Sequence, residues 1–327
     1  MLNARSPCEV EALIRRHSET RNGAIPRDAT PRKPVSRVEG PPTSRPPAGR
    51  NLPPSLRSGG QRPCFNAGMR ANPTRDKWKA GELALGGWLS LPSSISAEIM
   101  AATGFDYVCV DMQHGLIDFS DLVPMLQGLT TGTCTPFVRV PQNLPGHIGK
   151  ALDAGAMGVI VPMVNTVEEC EAAVAAARYA PVGNRSFGPA RAAAVEGADY
   201  WDRANTDVAI IPMIETVQAV QVIDDILAVP RVDAIYVGPA DLSVSMGFHP
   251  RSNEPAFLST LDEIVAACHR HGVVPGMHAT TATAQDRIDR GFRFVTVTAD
   301  MSSLRTKVAE DLAAVRAGLT GTDTAIY

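Results

Sequence analysis

From Leu83 onward the chain alternates between short apolar runs and stretches of helical pattern, with a spacing of roughly 20–30 residues. Eight runs stand out: "LALGGWLS", "YVCVDMQH", "PFVRVP", "GVIVPMV", "VAIIPMIE", "AIYVGPAD", "VPGMHA" and "FRFVTVTA". They are continuously apolar rather than alternating, which is how strands read when helices cover both faces of a parallel sheet. The intervening segments, such as "SSISAEIMAATG", "PGHIGKALDAG" and "FLSTLDEIVAACHRHG", are helical in period, and several close on glycine. Eight such βα units over about 240 residues predict a (β/α)8 barrel. The alternative is an open, doubly wound sheet. Its phosphate-binding signatures, GxGxxG and GxxxxGK[ST], are both absent.

Residues 1–72 have a different character. They hold eleven prolines, one aromatic (Phe65), and 13 basic against 5 acidic side chains. Such a segment buries too little apolar surface to offset the entropy of ordering, so disorder is expected. A basic arm for an anionic partner and an organelle-targeting segment are two readings of it. A third is an upstream start site with Met69 as the true first residue. Since the whole chain is −3, the body from residue 73 is acidic, which argues against nucleic acid as a ligand. The six cysteines are scattered without metal-ligand spacing and read as reduced thiols, consistent with a cytoplasmic protein. No run reaches the roughly 18 apolar residues of a membrane span.

In a barrel of this kind the chemistry gathers at the C-terminal ends of the strands. Those ends carry Asp111, Gln113 and His114 (second run), Arg139 (third), Glu215 (fifth), Asp241 (after the sixth) and His278 (seventh). Charges beside a core need partners or a metal. Two carboxylates on neighbouring strands suit one divalent ion with water and substrate completing the shell, the pattern of Mg²⁺ or Mn²⁺, with Co²⁺ a further option. The competing expectation is an ion pair in which Arg139 neutralises Glu215 or Asp241. His114 has the right ordinary pKa for a general base, or it caps a strand end. His278 is expected to be unremarkable, a rim residue able to contact substrate. None of the five lysines falls at a predicted strand tip, which argues against an imine-forming aldolase, and no GxSxG supports a serine nucleophile.

Taken together, "GGWLS", "GFDYVCVDMQHG", "PFVRVP", "LDAGAMGVIVPMVNTVEE", "ARYAPVGNRSFGPARA", "MIET" and "YVGPADLSVSMG" resemble the metal-dependent 2-oxo-acid aldolases of the HpcH/HpaI family, of the 4-hydroxy-2-oxoheptanedioate aldolase type. The likeness runs over about residues 80–320. It implies a barrel of the phosphoenolpyruvate/pyruvate-binding superfamily and cleavage of a 4-hydroxy-2-oxo acid to pyruvate and an aldehyde. Glu215 and Asp241 match the family's metal ligands. Arg139 matches the residue that holds the pyruvate carbonyl oxygen, and His114 the catalytic base. Asp111 takes the matching rim position, Asp153 matches an aspartate supplied by a neighbouring subunit, and Gly238, Pro239 and Ala240 frame the substrate carboxylate. A homo-oligomer, a hexamer in the family, is also implied. The chain departs from the pattern at Gln113, at Met213 and in the "RSFGPARA" loop, which leaves the aldehyde half of the substrate open. A CoA-ester lyase of the citrate lyase β or malyl-CoA type, and a non-catalytic binder of 2-oxo acids, are the other readings.

Overall fold

The computed structural model describes residues 72–250 and 252–320. The expectations for the N-terminal segment, including Met69, fall on residues 1–71 and lie outside the described residues. The described body opens with Asn72, which the composition boundary assigns to the preceding segment. Its side chain caps helix α1 (Pro73–Lys79) by accepting from the Arg75 amide at 3.1 Å. Its Nδ2 also donates to the carbonyls of Met157 and Asp207, both at 3.0 Å.

Eight parallel strands close into a barrel in the order β1 to β8: Ala84–Leu89, Tyr107–Asp111, Thr135–Arg139, Gly158–Val161, Ala209–Ile214, Ala234–Val237, Val274–His278 and Phe294–Ala299. Each pairs with the next, and β1 returns to β8 with Ala84 opposite Phe294. The expected eight runs and the expected closure are both present. Helices α2 (Ser94–Ala102), α3 (Phe119–Leu129), α4 (Pro145–Asp153) and α5 (Val167–Ala177) follow β1 to β4. The β4–β5 connection adds α6 (Ala190–Glu196) and α7 (Tyr200–Asp207), over a stretch that the apolar pattern leaves as loop. Then come α8 (Val217–Gln221), α9 (Ile223–Leu227), α10 (Pro239–Ser245), α11 (Pro255–His271), α12 (Ala284–Asp289) and α13 (Asp300–Thr320).

The period of two along each strand decides what faces the barrel axis. Val108, Val110, Val138, Val159, Ile210 and Ile235 point outward into the layer beneath the helices. Tyr107, Cys109, Phe137, Ile211, Met213, Tyr236 and Phe294 point inward, and Trp78 of α1 joins them, edge-on to Phe294 at 4.9 Å. Small residues make room for the large ones: a Cβ on Gly86 would lie 2.1 Å from the Tyr107 ring. Each such burial is worth about 1.5–3 kcal/mol, whereas an exposed, solvent-screened pair such as Arg270–Asp224 contributes little. Packing of the two layers therefore holds the barrel. Counting on by two from the inward set lands on Asp111, Arg139, Glu215 and His278. The inward face thus turns polar at one end, and that end is the mouth. Among the described residues, no helix is long and apolar enough to cross a membrane.

Candidate active site

Asp111 ends β2 inside the barrel and is almost fully buried. Its carboxylate accepts five hydrogen bonds. Oδ1 takes Arg139 Nε at 2.8 Å, the Gln113 amide at 3.0 Å and the His114 amide at 3.2 Å. Oδ2 takes Arg139 Nη2 at 2.6 Å and Trp88 Nε1 at 3.1 Å. Burial alone would raise its pKa. The bonds and charge of Arg139, helped by Trp88 and the His114 amide, outweigh burial and hold the group below its ordinary range. So saturated a carboxylate is a fixture. It aims Arg139 and pins the loop that carries His114.

Arg139 is likewise buried and stacks over the Trp88 ring, its Cζ 5.1 Å from the centroid. Here the structure corrects one expectation: the arginine's ion-pair partner is Asp111, not Glu215 or Asp241. With Nε and Nη2 engaged by Asp111, Nη1 has no hydrogen-bond partner among the described residues.

Glu215 follows β5 directly, and Thr216 caps α8 by accepting from the Ala219 amide at 3.1 Å. The "ET" pair thus joins a strand-tip acid to a helix start. Glu215 is 1% exposed. Its Oε1 accepts the Met163 amide at 2.7 Å, from a residue held at φ 55° in the left-handed region. Its Oε2 is buried and has no partner. Burial pushes the pKa up, the Met163 amide pulls it down, the charge of nearby Asp241 raises it again and Arg139 opposes. Asp241 stands exposed in the first turn of α10, behind Gly238 and Pro239. A Cβ at Gly238 would fall 2.3 Å from Glu215 Oε2, so only glycine lets the chain pass this carboxylate.

A buried carboxylate oxygen without a donor, beside a second carboxylate, is unstable alone and well matched to a cation. The donor set fits a hard divalent ion. No group of three or more His, Cys, Asp and Glu side chains arranged for a metal occurs among the described residues, so the protein's share would be this pair.

His114 lies just past β2, exposed, with its backbone tied to Asp111. Asp153 is not brought to this cluster within the chain. It ends α4, at the face where the strands begin, and it binds Arg185 Nη2 at 2.7 Å. His278, which the sequence marks as unremarkable, sits half-buried on the inner face of β7, edge-on to Trp88 at 5.3 Å. Trp88 and the Met163 amide were not among the expected site residues. The "GGWLS" motif signalled Trp88 without its role. No local signal marks Met163, because its partner lies 52 residues away.

A match to the HpcH/HpaI aldolase/citrate lyase family model covers residues 85–306. The chain belongs to this family. As an HpcH/HpaI protein it is 38% identical to a hydroxypyruvate/pyruvate aldolase of Rhizorhabdus wittichii, over 75% of this chain and 99% of the relative. It is 36% identical to a 4-hydroxy-2-oxo-heptane-1,7-dioate aldolase of Salmonella arizonae, over 74% of this chain and 94% of the relative. Among solved structures, an HpcH/HpaI aldolase/citrate lyase family protein of Burkholderia cenocepacia superposes with a TM-score of 0.72. That protein is 34% identical, and the match covers 75% of this chain and 99% of that one.

Proposed function

We propose that this HpcH/HpaI protein is a divalent-metal-dependent aldolase that reversibly cleaves a 4-hydroxy-2-oxo acid to pyruvate and an aldehyde. The observation that carries the reading is the donorless Oε2 of Glu215 next to Asp241, within electrostatic reach of Arg139. Both named relatives are aldolases, which are carbon–carbon lyases.

Glu215 and Asp241 would hold Mg²⁺, Mn²⁺ or Co²⁺, which when bound supplies positive charge that favours a pyruvate enolate. Arg139 offers Nη1 to the 2-oxo oxygen, where negative charge grows in the transition state, and Asp111 and Trp88 keep it aimed. His114 takes the proton of the 4-hydroxyl, directly or through water, as the C3–C4 bond breaks. The first-turn amides of α10 at Ala240 and Asp241 lack helical partners and suit the substrate carboxylate, with Gly238 and Pro239 shaping the approach.

The working form in this reading is a homo-oligomer. Along α13, Met301, Leu304, Val308, Leu312 and Val315 form an exposed apolar stripe. Asp153 lies at the end of the barrel opposite His114, so it reaches such a histidine only from another copy. The deciding assay follows pyruvate formation and condensation with added aldehydes under Mg²⁺, Mn²⁺ and Co²⁺. Turnover is expected to stop in excess EDTA and return with metal. Activity that persists in EDTA removes the metal from the mechanism.

A further inference from the structure

His278 occupies the same inward series of β7 as Gly276, one step from the aromatic interior. Its ring stands edge-on to Trp88 at an interplanar angle of 84°, and its Nδ1 lies 3.5 Å from the Tyr236 hydroxyl. That hydroxyl donates its one proton to Thr296 Oγ1 at 2.6 Å. Toward His278 the tyrosine oxygen can therefore only accept, which favours the tautomer with the proton on Nδ1 and the lone pair on Nε2. Tyr107 meets the same threonine at 2.8 Å, so the Tyr236 hydroxyl is held in place by a chain of buried hydroxyls.

The same imidazole forms part of the walls of two clefts at the mouth. One, of about 270 Å³, lies between α10, the start of α11, and α12, with Ser243, Thr280 and Thr283 in its lining. The other, of about 410 Å³, lies beneath the start of α13, with Thr298, Ser302 and Thr306. Ser243 is on the helix that carries Asp241, and its buried Oγ has no partner. The lining is rich in hydroxyls, and the two charged residues of the second cleft are Lys307, paired with Asp311 at 2.7 Å, and Glu310. The buried Arg287 guanidinium at the far wall of the first is bonded to Asp286 and Asn253. Burial and the charge of Arg139, against that of Asp111, push the His278 pKa down to about 4, so the ring is neutral at ordinary pH. A carboxylate or phosphate finds no donor at Nε2, whereas a hydroxyl finds an acceptor.

Building on the aldolase reading above, we propose that His278 is a specificity-determining residue: its Nε2 accepts a hydrogen bond from a hydroxyl on the aldehyde half of the substrate, favouring hydroxylated aldehydes over their deoxy counterparts. The test uses the full-length protein with pyruvate and either glyceraldehyde or propanal. The wild type should prefer glyceraldehyde. The ratio of the two kcat/KM values should fall about three- to tenfold in His278→Phe, which keeps a ring on Trp88, and should largely recover in His278→Gln, whose side-chain oxygen is again an acceptor. His278→Leu serves if the Phe variant fails to fold by circular dichroism. An unchanged ratio in the apolar variant, or an equal fall in the Gln variant, overturns the role of His278 while leaving the aldolase reading in place. Absence of pyruvate-dependent turnover with either aldehyde in the wild type overturns both.

Discussion

Asp111 and Glu215 occupy comparable places: inward-facing acids at strand tips, each nearly sealed from solvent. Their surroundings are opposite. Asp111 is saturated by a guanidinium, an indole and two amides, and its pKa is lowered. Glu215 has one amide on one oxygen and nothing on the other, and its pKa is raised. One side of the mouth is therefore complete as folded, and the other awaits something positive. Half-satisfied burial of charge is costly, so the incomplete side is where chemistry is expected, while the complete side serves to orient.

The largest expected effect lies on the incomplete side. Glu215→Ala and Asp241→Ala should each lower metal-dependent turnover by about 10³-fold or more; Mn²⁺ is expected to raise the Tm of the wild type and to leave that of either variant unchanged. If either variant kept both, the comparison would break. On the complete side, Asp111→Ala strands the buried Arg139 charge and should cost about 3–5 kcal/mol in denaturant unfolding. In metal-free protein, Glu215→Gln should by contrast be neutral or stabilising, and an equal loss in the two variants would erase the distinction. Arg139→Ala should lower kcat by about 10²–10³-fold; a change confined to KM would remove its transition-state role. The smallest effect concerns His278, which faces Arg139, Asp111 and Tyr236. Its folded pKa of about 4 lies below the ordinary 6.5, so the unfolded chain binds the extra proton first as pH falls. Stability should drop between those two values, by up to about 3 kcal/mol, and His278→Phe should flatten that part of the pH profile.

Much of this was legible in the chain. Continuous apolar runs marked all eight strands, and their C-terminal ends marked Asp111, Arg139 and Glu215 as residues of the mouth; the structure adds that all three lie on the inner face. The partner of Arg139 was not legible. Glu215 and Asp241 are as plausible by type as Asp111, and only the β2–β3 register, with Asp111 opposite Arg139, decides among them. α6 and α7 escaped because "ARAAAVE" and "YWDRANTD" are only seven and eight residues long, and the second is predominantly polar. His278 looked unimportant because a tautomer depends on Tyr236 and Thr296, which come together only when β6, β7 and β8 do.

The clasp on Glu215 comes from the main chain at Met163 rather than from a side chain. That methionine also borders a third opening at the mouth, of about 410 Å³, with Gln113, Asn143 and Glu169. Anchor and lining are thus uncoupled at one position. The residue there can change to suit a different cargo without loosening the acid beneath it, provided the backbone keeps its left-handed bend.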